Sequence, residues 1–227
     1  MVERFRTKRP EDDSGVVVIG LGRFGTAIAT ALENLNTHVL GIEKNPKVVQ
    51  QLSPRLTHLV EADASMAEAL EQSGVADFRV AVVGVGTSIE ASVLITANLV
   101  DMGVPQIWTK AISTEHARIL ERIGAHHVVL PEASAGERVA HLVNGRLLDY
   151  IEFEDGFTIV KMRAPQETHN KTLAESQVRQ KYGVTVIGVK TTGKDFVYAI
   201  PETKIAPGDI IIASGRTSLL ERFAARP

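Results

Sequence analysis

Cysteine is absent from this sequence. Its absence removes disulfides, thiolate-bound zinc, iron–sulfur clusters and thiol nucleophiles together. Also missing is any apolar run of the ~18–20 residues that a transmembrane helix needs, and the N-terminus lacks the apolar core of a signal peptide. These absences predict a soluble, cytoplasmic protein with no direct membrane insertion, reaching a membrane only through a partner. Basic excess is wanting too: 25 Lys and Arg stand against 27 Asp and Glu, for a formal net charge of −2. A nucleic-acid binder gathers its basic residues on one face or tail. Here the only dense cluster, Arg4 to Asp13, mixes both signs and reads as a solvated N-terminal arm over 1–14. No nucleic acid partner is expected.

The chain does have enough apolar residues, 44% of 227, to build a packed core across one and a half or two domains. From Val16 to about Pro131, short β-branched runs alternate with stretches of helical spacing. The strands are Val16–Gly20, His38–Ile42, Thr57–Val60, Val80–Val85, Ile107–Lys110 and Val128–Leu130. Continuous apolar runs of this kind belong to parallel strands buried on both faces. The fold class is therefore α/β, a Rossmann-like doubly wound parallel sheet, spanning 15–133. A longer helical stretch follows at Ser134–Tyr150 (134–150), with Val139, Leu142, Val143, Leu147 and Leu148 at helical spacing. Beyond it, 151–227 alternates in strands around turns such as Asp155-Gly156 and Gly193-Lys194, with helical pieces at Thr172–Tyr182 and Leu219–Ala225. This is a small C-terminal α+β domain of about 75 residues, too small to be comfortable alone.

Gly20-Leu21-Gly22-Arg23-Phe24-Gly25 fits G-x-G-x-x-G between a buried strand and a helix, as the dinucleotide-binding fingerprint requires. The first glycine permits the tight turn, the second lets the backbone approach a pyrophosphate, and the third allows close helix–strand packing. Phosphates would then sit on the positive end of the following helix. The fingerprint also asks for an acid at the end of the second strand, roughly 20 residues on. Glu43 satisfies it; a carboxylate there accepts ribose hydroxyls and repels a 2′-phosphate, disfavouring NADP.

These residues carry a family resemblance. The Gly20–Gly25 turn, the Glu43 strand end, Glu61-Ala62-Asp63-Ala64-Ser65, Trp108-Thr109-Lys110-Ala111 and Leu130-Pro131-Glu132 resemble the N-terminal RCK domain of potassium-transport regulators. Thr172–Gly215, with Tyr182-Gly183-Val184, Ile200-Pro201 and Pro207-Gly208-Asp209, resembles the companion C-terminal RCK (TrkA-C) domain. The match preserves motif order over nearly the whole chain. With no membrane segment ahead of it, it is most similar to the cytosolic KtrA/TrkA type of regulatory subunit, which is not an enzyme.

The resemblance implies ATP, ADP or NAD(H) as ligand. Gly20, Gly22, Phe24 and Gly25 would line the phosphates, Glu43 the ribose, and Asp63 with Ala64 the adenine side, with Lys44 also among the nucleotide-binding residues. Arg23 would reach a terminal phosphate, its own or a neighbouring subunit's, and Lys110 would face the pocket. Glu132 matches an acid that holds Mg²⁺ or another divalent cation beside ATP, although phosphate oxygens and waters must complete such a site. Ser65 stands where the family commonly has Thr. The C-terminal domains would pair, with cyclic di-AMP as a second ligand in a groove lined by Val178, Val184 and Pro201. The implied partners are a membrane-embedded K⁺ transporter subunit of the TrkH/KtrB type and further copies of the chain, as a homodimer and an octameric ring.

Other patterns carry less. Gly188 to Asp195 nearly spells a P-loop, but Asp195 offers no hydroxyl to Mg²⁺ and the surroundings read as a hairpin. His126-His127 point to opposite faces of a strand. His116, His141 and His169 lack a ligand-spaced partner, and each reads as a surface or half-buried residue. Neither H-E-x-x-H nor G-x-S-x-G occurs. The alternative reading is an NAD-dependent oxidoreductase. A Rossmann domain permits it, but the C-terminal residues supply no recognisable proton-transferring group beside a carboxylate-binding arginine.

Overall fold

A computed structural model describes residues 15–143 and 147–226. The arm expected at 1–14 lies outside them. The chain divides into two compact units, ending and beginning at Glu132 and Ala133.

In the first unit six strands form one parallel sheet. They are β1 (Val16–Ile19), β2 (Val39–Glu43), β3 (His58–Glu61), β4 (Val80–Val83), β5 (Gln106–Lys110) and β6 (His127–Val129), in the order 3-2-1-4-5-6. Five helices connect them: α1 (Arg23–Asn34), α2 (Pro46–Leu52), α3 (Ala67–Gln72), α4 (Ile89–Asp101) and α5 (Thr114–Ile123). Side chains alternate across the sheet. Val17, Ile19, Ala81 and Val83 pack with Leu70, Ile95 and Leu99 on one face. Val18, Val39 and Val82 pack with Ala29 and Leu52 on the other. Burying each such Val or Ile contributes about 1.5–3 kcal/mol. The strand order reverses between β1 and β4, and ligands of such sheets bind outside the carboxyl ends at that switch point.

His116 departs from expectation, for it is 1% exposed. In the first turn of α5 its backbone N–H donates to Ser113 Oγ at 3.1 Å, and Nδ1 accepts from the Ile112 N–H at 3.4 Å. Nε2 is buried with no partner. Burial holds its pKa below the ordinary 6.5. Below that pH the unfolded chain takes up a proton that the folded chain refuses, so stability falls as pH drops through that range. The urea midpoint should therefore be lower at about pH 5.5 than at about pH 7.5, and His116→Leu should flatten that difference. An unchanged pH slope in the variant would assign the effect to other groups.

The second unit begins within α6 (Pro131–Val143). The helix is shorter than the apolar spacing predicts, because Asp149 and Tyr150 already pair with Lys161 and Val160 in an antiparallel ladder. The strands β7 (Asp149–Glu152), β8 (Phe157–Arg163), β9 (Thr185–Lys190), β10 (Phe196–Tyr198) and β11 (Ile210–Arg216) form a sheet in the order 10-9-11-8-7. All its neighbours are antiparallel. The β7–β8 hairpin turns through Asp155 and Gly156, both left-handed at φ +66° and +68°, inside a loop closed by the Phe153 N–H donating to the Phe157 carbonyl at 2.8 Å. Gly188 to Asp195 runs from β9 through a turn towards β10, a hairpin as expected.

Helical spacing at Thr172–Tyr182 conceals a break. The structure has α7 (Leu173–Ser176), opened by a capping box between Thr172 and Glu175, then Gln177 at φ +51°, then α8 (Val178–Tyr182). With α9 (Thr217–Ala224), these segments cover a core that includes Val160, Met162, Ile211, Leu220 and Phe223. Among the described residues no helix is long and apolar enough to cross a membrane.

Candidate nucleotide-binding site

The site begins with three glycines that leave no room for a side chain. Gly20 has φ +81°, and a Cβ on it would lie 2.6 Å from Val85 Cγ2. A Cβ on Gly25 would lie 2.0 Å from the Gly20 carbonyl oxygen, and one on Gly84 would lie 2.7 Å from that same atom. The β1–α1 turn and the β4–α4 loop therefore stack backbone on backbone. Gly22 differs: it has ordinary φ −68° as the N-cap of α1, and a Cβ there would meet nothing within 4 Å. Asn45, Ser88 and Ser113 cap α2, α4 and α5 through their side chains, whereas no side chain caps α1. Its positive end is left to solvent or to an anion.

Glu43, at the end of β2, does more than await a ribose. Its Oε2 accepts the Leu21 N–H at 2.7 Å and its Oε1 accepts the Asn45 N–H at 2.9 Å. The carboxylate thereby ties the glycine turn to the β2 end, while each oxygen retains a second lone pair for a ligand hydroxyl. Asp63 closes the same cleft from the loop just after β3. The Ser65 hydroxyl and backbone N–H both donate to its Oδ1, at 2.7 and 3.1 Å. The hydroxyl first, then the N–H, hold its pKa below the usual carboxylate value. The cleft encloses about 250 Å³, and Gly20, Gly22, Glu43, Lys44, Asp63 and Ala64 are among the residues that line it. That is less than the ~300–1,000 Å³ of a whole small-molecule site.

Arg23, Phe24, Lys110 and Glu132 gather on the other side of the turn. Lys110 Nζ donates to Glu132 Oε1 at 2.7 Å, with the lysine side chain 13% exposed and the glutamate 67%. The ammonium lies 5.8 Å from the centroid of the Phe24 ring and packs against Gly86, where a Cβ would come within 3.3 Å of Nζ. The Lys110 hydrogen bond first, then the backbone N–H of Glu132 and the charges of Lys110 and Arg23, keep Glu132 below the usual carboxylate pKa. Among the described residues no three His, Asp or Glu side chains gather to hold a metal. Glu132 is a single carboxylate beside two cations. Such a donor set fits a divalent ion only when phosphate oxygens accompany it.

In the second unit Val178, Val184 and Pro201 line one groove of about 300 Å³, together with Gln177 and Ile200. Val178 and Val184 are 3% and 0% exposed, so they form its floor and belong equally to the core. Three further histidines have local work. His127 stacks on Trp108 at 3.9 Å, His169 Nε2 lies 2.9 Å from the Ala164 carbonyl, and His141 Nδ1 lies 3.5 Å from Glu221.

Gly84, Gly86, Thr87 and Ser88 also line the first cleft and were not anticipated. Their signal was legible: Gly84-Val85-Gly86 follows a buried strand and precedes a Ser-capped helix, repeating the logic of the first turn.

A Rossmann-type nucleotide-binding unit followed by a small antiparallel α+β unit is the class that these features define. The chain belongs to the TrkA family: the TrkA-N domain model matches residues 16–131 and the TrkA-C domain model residues 157–226. It is 33% identical to Ktr system potassium uptake protein A of Bacillus subtilis (strain 168), over 91% of this chain and 93% of that protein. Its fold is similar to that of the GsuK channel bound to NAD, with a TM-score of 0.55 at 22% identity over 96% of this chain. It is likewise similar to GsuK bound to ADP, with a TM-score of 0.51 at 21% identity over 60% of this chain. The chain spans only 39% and 35% of those two channel chains. The expected RCK resemblance and fold class are both borne out.

Proposed function

We propose that this chain is a cytoplasmic, non-catalytic regulatory subunit of a potassium transport system that senses adenine nucleotides. The observation that carries this reading is the match to a potassium uptake protein over nearly the full length of both chains. The cleft is its physical counterpart, with fingerprint glycines, Glu43 and Asp63 converging at the switch point of the sheet.

ATP and ADP are the ligands proposed, with Gly20, Gly22, Phe24 and Gly25 at the phosphates, Glu43 at the ribose, Asp63 and Ala64 at the adenine side, and Lys44 also in the site. A ligand shifts a gate only by its differential affinity for two states, so the terminal phosphate must carry the signal. Arg23 and Glu132 stand where that phosphate would end, and Glu132 would supply one oxygen to Mg²⁺ bound by the phosphates. The cation would neutralise phosphate charge that Arg23 alone cannot. In the second unit the Val178, Val184 and Pro201 groove would take cyclic di-AMP between paired domains.

Assembly is part of the same reading. The face of the first sheet beside α1 has an apolar groove lined by Phe24, Ile28, Leu32, Val82 and Trp108. Helix α6 has no buried residue, and Val139 and Val143 are 55% and 79% exposed. We propose that α6 of each protomer crosses to a second copy, that such homodimers form an octameric ring, and that the ring docks on a membrane-embedded K⁺ transporter subunit.

Thermal-shift titration with ATP, ADP, NAD(H) and cyclic di-AMP, with and without Mg²⁺, tests the ligand. Stabilisation by ATP and ADP is expected, as is a gain from Mg²⁺ with ATP that shrinks in Glu132→Gln. Tight NADH binding with hydride-transfer turnover and no ATP response would instead make the chain an NAD-dependent oxidoreductase. Nucleotide-dependent K⁺ flux in vesicles carrying the transporter subunit tests gating itself.

A further inference from the structure

Lys110 is the one cation of the site whose side chain is largely enclosed, and it is already engaged. Its ammonium is held by Glu132 at 2.7 Å, with Gly86 from the β4–α4 loop on one side and the first turn of α1 on the other. No side chain caps that end of α1, so phosphate lying there would come beside the ammonium. Glu132 is mostly solvent-exposed, which leaves it free to swing away without disturbing packing.

We propose that Lys110 counts phosphates in this site: Glu132 holds it in the ligand-free chain, and only a nucleotide whose outermost phosphate reaches past the turn draws it away. This rests on the nucleotide-sensing reading given above and adds a threshold to it. The ammonium has three hydrogens, but drawing it towards a phosphate at the turn moves it off Glu132 Oε1, now at 2.7 Å, so the two anions compete for its position. A monophosphate, ending within the turn, leaves the Lys110–Glu132 pair intact. A triphosphate carries more charge and extends farther, so it replaces the carboxylate. The exchange also sets Glu132 free at the moment the terminal phosphate arrives. Competition by a bound anion raises the apparent dissociation constant of every nucleotide that needs Lys110, and of no other.

The experiment is calorimetric titration of the full-length protein with AMP, ADP and ATP in excess chelator, so that no divalent cation takes part. In Glu132→Gln the affinity for ATP should rise by about twofold to fivefold, as removal of an exposed ion-pair competitor allows, while AMP affinity stays at the wild-type value. Lys110→Met should lose about tenfold for ATP and little for AMP. The double variant should behave as Lys110→Met alone, because the gain from Glu132→Gln acts only through the released lysine. If the gain persists in the Lys110→Met background, it is mere relief of negative charge and the proposal is wrong. An ATP affinity unchanged or lowered in Glu132→Gln also overturns it. Should the wild type bind none of the three nucleotides, the sensing reading falls with it; normal wild-type binding without the Glu132→Gln gain removes the phosphate-counting role alone. Glu132 is exposed enough that its variant folds regardless of what Lys110→Met does.

Discussion

Gly25→Ala is expected to abolish nucleotide binding and to destabilise the first unit by about 3 kcal/mol, the upper range for forcing one methyl into a filled site. The methyl would lie 2.0 Å from the Gly20 carbonyl oxygen, and both atoms belong to backbone that cannot rotate aside. Gly84 stands behind the same carbonyl, so the turn cannot retreat. A loss of that size lowers the melting temperature by roughly 6–12 °C in a protein of this length. Gly22→Ala is the informative contrast. Its Cβ meets nothing and its φ suits any residue, so melting should stay near the wild-type value. The methyl would occupy the space through which a phosphate approaches the α1 backbone, so ADP affinity should drop all the same. A Gly25→Ala protein that melts like the wild type would show that the turn is looser than its contacts require.

Glu43→Gln is expected to weaken ADP and ATP binding by about 100-fold, close to 2.7 kcal/mol. Two hydrogen bonds to a charged acceptor are at stake before any ligand arrives, with Leu21 N–H at 2.7 Å and Asn45 N–H at 2.9 Å. Glutamine keeps one acceptor but points an amide N–H at the other donor, leaving an N–H facing an N–H. Bonds to charged groups contribute about 1.5–3 kcal/mol each. The turn thus loses its anchor and the ribose its acceptor together. The variant should also tolerate a 2′-phosphate better, since the repelling charge is gone. Titration with ADP and with NADP measures both effects, and a variant of wild-type ADP affinity would place the ribose elsewhere.

The first unit was largely legible because its local and long-range demands coincide. Runs such as Val16–Ile19 and Val80–Val83 can serve only as strands covered on both faces, and the glycine turn and Glu43 fall at the spacing that phosphate and ribose require. Other features depend on contacts that no spacing reveals. His116 occupies an amphipathic position on α5, and periodicity alone could not say that a polar ring there would be sealed. Val178 and Val184 were legible as groove residues but not as core, because one apolar side chain can serve a floor and a core at once. The helical run Thr172–Tyr182 hides its break at Gln177, a left-handed residue without the glycine that usually marks one. At Leu147–Tyr150 helical spacing competed with strand pairing to β8, and the ladder prevailed. The Lys110–Glu132 pair joins residues 22 positions apart, which only the pairing of β5 with β6 brings together.

The stacking of Gly20, Gly25 and Gly84 has a mechanical consequence. Two loops from different strands share one carbonyl as their point of contact, with no side chain between them to compress or rotate. The wall on which a phosphate would lie is therefore backbone with no room to give, an anvil rather than a spring. Whatever distinguishes one bound nucleotide from another must be expressed by parts that can yield, namely the charged side chains at its rim and the bodies to which they are attached. A regulator built this way keeps grip and response in separate materials, so mutations can retune the response without loosening the grip.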